Sequence, residues 1–279
     1  MVKLAFWDTV GEAYRFVFTQ PLTILRAGWA VLAIDFVNLL LPAAGIKSAA
    51  LQVLLAVIVY VLFIGIAVAW HIALARAILL GESSWLAALR FHRRQWRLIG
   101  VSLLFTVLVG VPVAIGAIAV AVAHPAGIVV APFAIVFLAL CIVVIAAGVR
   151  FYLVIPAIAI DDPAKAIRAA WRRGQRNTLR LFFGVLICLL PVFLIVWIGA
   201  FAFFSRWIGF LNNGNAPDPN AALGFFFRSH PAMLAAIAGG GTLLSLLASA
   251  LFIAFYALAY RQIAANWNPP PAIAARLET

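Results

Sequence analysis

The sequence predicts an all-α fold: a polytopic integral membrane bundle of six transmembrane helices, with cytoplasmic interfacial amphipathic helices between them. Three observations carry that reading. Of the 279 residues, 67% are hydrophobic and only 10% are charged, against about 25% charged in a soluble domain. Six apolar stretches reach the roughly 20 residues that a helix needs to cross a bilayer. The basic residues fall almost entirely on one side of those stretches. A soluble enzyme, a disordered chain and a disulfide scaffold are excluded by the same composition, because no water-soluble fold of this size hides so much apolar surface.

The spans are read as Leu22–Ala44, Ala49–Ala73, Leu98–Ala123, Gly127–Gly148, Leu181–Phe204 and Ala232–Ala259. The first is the weakest, since Arg26 and Asp35 interrupt it. The N-terminal stretch is not read as a signal peptide: Asp8, Glu12 and Arg15 break it, and no small-residue cleavage site follows. Pro112, Pro132 and Pro191 fall inside spans, where each removes a backbone donor and bends its helix.

Direction follows from the charges. Lys3, Arg15 and Arg26 precede or enter the first span. Arg76, Arg90, Arg93, Arg94 and Arg97 lie between the second and third. Arg150, Lys165, Arg168, Arg172, Arg173, Arg176 and Arg180 lie between the fourth and fifth, and Arg261 and Arg276 follow the sixth. The opposite side holds only Lys47, Arg206 and Arg228. The positive-inside rule then puts both termini in the cytoplasm of a multi-pass inner-membrane protein. The formal charge of +12 is accounted for by that rule, so nucleic acid is not an expected partner.

The basic connections have a pattern of their own. On a helical wheel Ile167, Ala170, Trp171, Gly174, Thr178 and Leu181 gather on one side, and Lys165, Arg168, Arg172, Arg173, Arg176 and Arg180 on the other. Asp162 followed by Pro163 is a helix start, which predicts one helix over Pro163–Arg180 lying in the interface. Ser84–Arg97 repeats the pattern: Trp85, Ala88, Leu89 and Trp96 oppose Arg90, Arg93, Arg94 and Arg97. In the N-terminal segment Phe6, Val10, Ala13, Tyr14 and Val17 oppose Asp8, Glu12 and Arg15. The expected anionic-lipid contacts are Arg90, Arg94, Arg97, Arg168, Arg172, Arg173 and Arg176.

Each such segment leads into a span, and the strings AYRFVFTQPLTILRAG, ALRFHRRQWRLIG and AWRRGQRNTLRLFFG share Ala, a bulky residue, Arg, and a Gln within five residues. The pattern predicts a threefold parallel repeat, about 1–75, 76–150 and 151–265, within one transmembrane domain spanning 1–279, with 266–279 a short cytoplasmic tail. The stretch VRFYLVIPAIAIDDPAKAIRAAWRRGQRNTLRLFFG, Val149–Gly184, resembles the signature of bacterial six-span proteins related to the glycerophosphoryl diester phosphodiesterase membrane domain. There a span ends in Arg, an aromatic and Pro, followed by an acidic turn and an Arg-rich helix. The resemblance implies the membrane part alone. The catalytic barrel fused to that domain in some members has no room here, so the diesterase activity is not implied.

The catalytic inventory is sparse. His71, His92, His124 and His230 are widely separated, and Cys141 and Cys188 sit in apolar runs as small core residues. No zinc-protease helix, nucleophile elbow or phosphate-binding glycine loop is present. Gly241, Ser245 and Ser249 recur every four residues as a helix-packing seam, and Asp161–Asp162 read as helix-start residues. No enzymatic activity, cofactor or metal is expected.

One group stands out. Asp35 lies in the middle of a span, where an acid costs about 2.5–3.5 kcal/mol. Asn38 shares its face, Arg26 lies on the opposite side of the helix, and Tyr60 and Ser245 fall at similar depth in other spans. A buried polar site of Asp35, Asn38, Tyr60 and Ser245 is read first as a structural clamp between helices, with an ion, proton or substrate site as the alternative. The corresponding functions are a non-enzymatic scaffold, accessory or lipid-interacting protein, with membrane lipids and other membrane proteins as partners, or a small transporter or channel.

Overall fold

The computed structural model describes residues 3–40, 48–82, 84, 92–123, 130–161, 166–212 and 230–264. Among them nine helices and no strand are found: α1 Phe6–Thr19, α2 Pro21–Leu40, α3 Ala49–Leu80, α4 Arg93–Ala123, α5 Val130–Phe151, α6 Val154–Ala159, α7 Ala166–Gly174, α8 Thr178–Asn212 and α9 Pro231–Ile263. The all-α membrane bundle is therefore what the chain forms. Five helices (α3, α4, α5 continued through α6, α8 and α9) are each long and apolar enough to cross a membrane, and a sixth crossing is reached when α1 and α2, bent by 78°, count as one span.

Helix ends follow from local chemistry. Ser48 caps α3, its hydroxyl accepting from the Leu51 N–H at 3.4 Å. Gly81, at φ 67°, ends α3 in the left-handed conformation that costs glycine least. The Gln95 side-chain oxygen accepts from the His92 N–H at 2.9 Å, the back-reaching half of a capping box at the start of α4. The break between α5 and α6 falls at Tyr152–Leu153. Pro156 explains it, because a proline ring clashes with the carbonyl four residues earlier, here Tyr152, yet is tolerated in the first turn of α6. Asp161 follows at φ 52°, a left-handed position that Asp accepts more readily than most residues.

Spans pair as α2–α3, α4–α5 and α8–α9, and α9 also packs on α2 and α3. The core lies towards one end of the bundle. Its members include Val10, Ala13 and Val17 of α1, Ile24, Ala27 and Val31 of α2, Trp70 and Ile72–Ala75 of α3, Leu98 of α4, Leu153–Ile155 and Ala157–Ile160, Leu181 and Cys188 of α8, and Ala250, Leu251 and Ile253–Tyr260 of α9. Alanine dominates the facing turns, which lets the backbones approach closely. Away from that end the helices present Leu103, Leu108, Ile115, Val136, Ile142, Trp197 and Phe201 outward. Lipid is the solvent that such a surface requires.

Three sequence expectations change here. First, α1 packs on α8 and α9 with Val10, Ala13 and Val17 buried, so its apolar stripe covers protein rather than lipid. Second, the helix expected over Pro163–Arg180 is interrupted: α7 ends at Gly174, a turn occupies 175–177, and α8 starts at Thr178. Asn177 is 2% exposed, its side-chain oxygen accepting from the Leu4 N–H at 3.1 Å, and this long-range bond holds the turn. Third, Asp161 closes α6 instead of opening the next helix; Asp162 and Pro163 lie outside the described residues. Arg93–Arg97 form the first turns of the long helix α4, while 85–91 and the tail 265–279 also lie outside them.

Candidate functional site

Ten described arginines that lie at the end of the bundle where α3, α6 and α9 finish fall into two classes. Six are engaged by the protein. Arg76 donates to the Glu82 carboxylate at 3.0 and 2.5 Å and to the Ala159 carbonyl at 2.7 Å, tying α3 to α6. Arg94 donates from Nε to Asp161 at 2.6 Å, tying α4 to the end of α6. Arg150 donates to the Thr178 hydroxyl at 2.7 Å and lies over the Trp171 ring, 5.2 Å from its centroid, joining α5 to α7 and α8. Arg173 donates to the Tyr260 hydroxyl and stacks on its ring, joining α7 to α9. Arg180 donates to the Leu4 carbonyl at 2.7 Å, and Arg261 pairs with Glu12 at 2.8 Å, which closes α1 onto α8 and α9. Gln262 adds to that closure, accepting from the Ala5 N–H at 3.2 Å and the Thr9 hydroxyl at 3.0 Å.

The second class is Arg97, Arg168, Arg172 and Arg176. All four are exposed, and none forms an ion pair with a described residue. Of the seven arginines expected to meet lipid headgroups, Arg94 and Arg173 thus belong to the protein's own ties, and Arg90 lies outside the described residues. Three of the free ones, Arg97 of α4 and Arg168 and Arg172 of α7, line one groove of about 810 Å³. Trp96 and Trp171 flank it, Gln175 borders it, and Gly100, Val101, Leu104 and Ile158 form its apolar side. Among the described residues, no acidic side chain lines it. A site of this composition attracts an anionic oxygen group on one side and hydrocarbon on the other.

A second groove, of about 700 Å³, lies between the N-terminal segment and α8. Asp8 lines it, and its arginine, Arg180, is already turned to the Leu4 carbonyl. It is similar in volume, but among its described lining residues the one arginine has Asp8 as its counter-charge.

The polar group expected around Asp35 is not assembled as a buried cluster. Asp35 is half-buried and has no hydrogen-bond or ion-pair partner among the described residues. Tyr60 is 65% exposed and Ser245 is exposed, so both are turned away from the interior; the Asn38 side chain lies outside what the structure describes. Depth along a helix is legible from sequence, but the direction in which a residue faces depends on how the helices are rotated against one another. Among the described residues no three His, Cys, Asp or Glu side chains are grouped to hold a metal ion.

Sequence reasoning missed the contact that joins α1 to α8 one turn before Pro191. The Tyr14 hydroxyl lies 3.0 Å from the Ile187 carbonyl and 2.9 Å from that of Cys188. Pro191 lacks the N–H that a helix would aim at Ile187, and Tyr14 supplies the missing donor. The signal was available: a proline in a span marks its carbonyl four residues earlier as in need of a partner. Comparison of the chain with protein-family models, with characterised proteins and with solved structures gives no match.

Proposed function

We propose that this chain is a non-enzymatic, multi-pass protein of a bacterial inner membrane, with both termini in the cytoplasm, and that it serves as a lipid-interacting accessory or scaffold component. The observation that carries the reading is the division of its arginines. One set fastens the helices to each other, and a second set is left exposed beside tryptophans at the same end of the bundle. Arginine and tryptophan together are what an interface with anionic headgroups selects. The distribution of Lys and Arg along the chain sets that end in the cytoplasm, where α7 is an interfacial amphipathic helix. Its Ile167 and Trp171 are exposed on the apolar side, ready for lipid, while Arg168 and Arg172 reach towards headgroups. The alternative, a transporter built around Asp35, has no converged polar set behind it.

The test is compositional. The protein, extracted in mild detergent from bacterial membranes, is expected to retain phosphatidylglycerol and cardiolipin above their share of the membrane, with no turnover of those lipids. Retention at the membrane average, together with a solute flux in proteoliposomes that Asp35→Asn abolishes, would replace this reading by the transporter.

A further inference from the structure

We propose that the groove between the start of α4 and α7 is a specific site for one anionic glycerophospholipid, its phosphodiester held by Arg97, Arg168 and Arg172 and one acyl chain laid along α4. The inference deepens the lipid-interacting reading above and rests on it. Three features single out this groove. Its three guanidinium groups come from two different helices, are exposed and pair with no described acid, so their charge is available to a ligand. The groove of similar volume beside α8 is lined by Asp8 and a single arginine, whose charges offset each other, so its described lining lacks the net charge. Among the described residues, these arginines therefore carry positive charge that no acid offsets.

The second feature tells a lipid from a free phosphate. Arg97, Val101, Leu104, Leu108 and Val111 follow one another at helical spacing on one face of α4, and the last three are exposed. From Arg97 to Val111 the helix rises about 21 Å at 1.5 Å per residue, more than the roughly 15 Å of one leaflet's hydrocarbon. A headgroup seated among the arginines thus has an apolar track of sufficient length directly beneath it. Inorganic phosphate would leave that track unused.

The third is room. A Cβ added at Gly100 would meet nothing within 4 Å, so the side of the groove is open at that point. A larger side chain there fills space that the proposal gives to the lipid, without disturbing the protein's packing.

The experiment titrates phosphatidylglycerol, and in parallel phosphatidylcholine, into the full-length protein in detergent and counts retained lipids by native mass spectrometry. The expected result is one strongly held phosphatidylglycerol per chain. The variant Arg97→Gln/Arg168→Gln/Arg172→Gln is expected to bind it roughly 100-fold more weakly, since each basic residue at an anionic site contributes about fivefold. Arg176→Gln, which removes one charge outside the groove, is expected to bind as the native protein does, whereas Arg172→Gln alone, the same charge change inside it, is expected to bind about fivefold more weakly. Gly100→Leu is expected to lose binding with no change of charge, and millimolar inorganic phosphate to leave the adduct in place. If the triple variant and Arg176→Gln bind alike, the groove is not the site, although the lipid-interacting reading stands. Complete displacement by inorganic phosphate would make the ligand a free anion and overturn the lipid assignment. If the native protein holds phosphatidylcholine as firmly as phosphatidylglycerol, the preference for anionic headgroups falls, and with it the assignment of the groove to an anionic lipid.

Discussion

Tyr14 and Pro191 should be energetically coupled. In an unbroken helix the Ile187 carbonyl would accept the N–H of residue 191, and proline has none. The Tyr14 hydroxyl stands in at 3.0 Å. Tyr14→Phe keeps the ring and its stacking on Phe18 but strands the carbonyl, at a cost of about 1–3 kcal/mol for an unsatisfied buried acceptor. In a Pro191→Ala background the alanine N–H restores the helical bond, and the same tyrosine change should then cost under about 0.5 kcal/mol. The neighbouring Cys188 carbonyl differs in this respect, because helical geometry directs the Val192 N–H at it, whereas nothing in the helix is directed at Ile187. Reversible unfolding in mixed dodecylmaltoside and SDS micelles, run on all four members of the cycle, measures the coupling. An interaction energy of about 1–2 kcal/mol is expected, above the roughly 0.5 kcal/mol within which independent sites add. Strict additivity would show that Tyr14 is not the proline's substitute donor, and that the contact is incidental to the packing of α1.

Gly184 should tolerate no side chain: a Cβ there would lie 2.1 Å from the Phe255 ring, which is fully buried and cannot swing aside. Gly184→Ala is expected to destabilise by about 1–3 kcal/mol and to be relieved by Phe255→Leu, whereas Gly199→Ala, with nothing within 4 Å, should be neutral or slightly stabilising; equal effects in the same unfolding assay would contradict the packing at α8 and α9. Asp35→Asn should leave folding intact or improve it, because Asp35 has no partner to lose among the described residues and an amide is less costly than a carboxylate inside a membrane; a drop in the yield of folded protein would show that Asp35 holds a structural bond. Reporter fusions at Asn213 are expected to read as outside and at Thr279 as inside, and opposite signals would defeat the orientation drawn from the distribution of Lys and Arg.

The spans were legible in the sequence because crossing a bilayer needs a run of apolar residues that nothing else in a chain of this kind requires. What covers an amphipathic stripe was not legible. The stripe Val10, Ala13 and Val17 on α1 meets protein, whereas Ile167 and Trp171 on α7 are exposed, yet the two segments have the same pattern. Periodicity reports that a face is apolar, and the partner is chosen by tertiary packing. The sequence groups the arginines but does not divide them, because their partners are often groups that every chain offers: the carbonyls of Leu4 and Ala159 and the hydroxyls of Thr178 and Tyr260. Asp35 shows the converse. Its cost was evident from composition and depth, but the residues grouped with it, Tyr60 and Ser245, face outward.

The two classes of arginine follow from where helices in a membrane get their specificity. Apolar contact between spans has little net driving force, since the lipid tails offer the same surroundings. Close backbone approach and polar bonds must therefore select the partner. Here the alanine-lined turns of α3, α6 and α9 supply the first. The ties of Arg76, Arg94, Arg150, Arg173, Arg180 and Arg261 supply the second, each joining different helices or, for Arg76, a helix and its own following turn as well. These ties sit at the end of the bundle, where guanidinium groups need not be carried into hydrocarbon and the cost of desolvating them is smallest. With α1 fastened over α8 and α9, and α7 fastened to α5 and α9, the helix that bears Arg168 and Arg172 is fixed in place relative to Arg97. A rigid mount is what distinguishes a binding groove from a diffuse basic surface: charges held in one geometry lose less freedom when a headgroup arrives. Loosening the mount by Tyr260→Phe, which removes the hydroxyl that Arg173 holds, should therefore weaken phospholipid retention although Tyr260 does not line the groove. Unchanged retention in that variant would mean that the groove's arginines act independently of the ties beneath them.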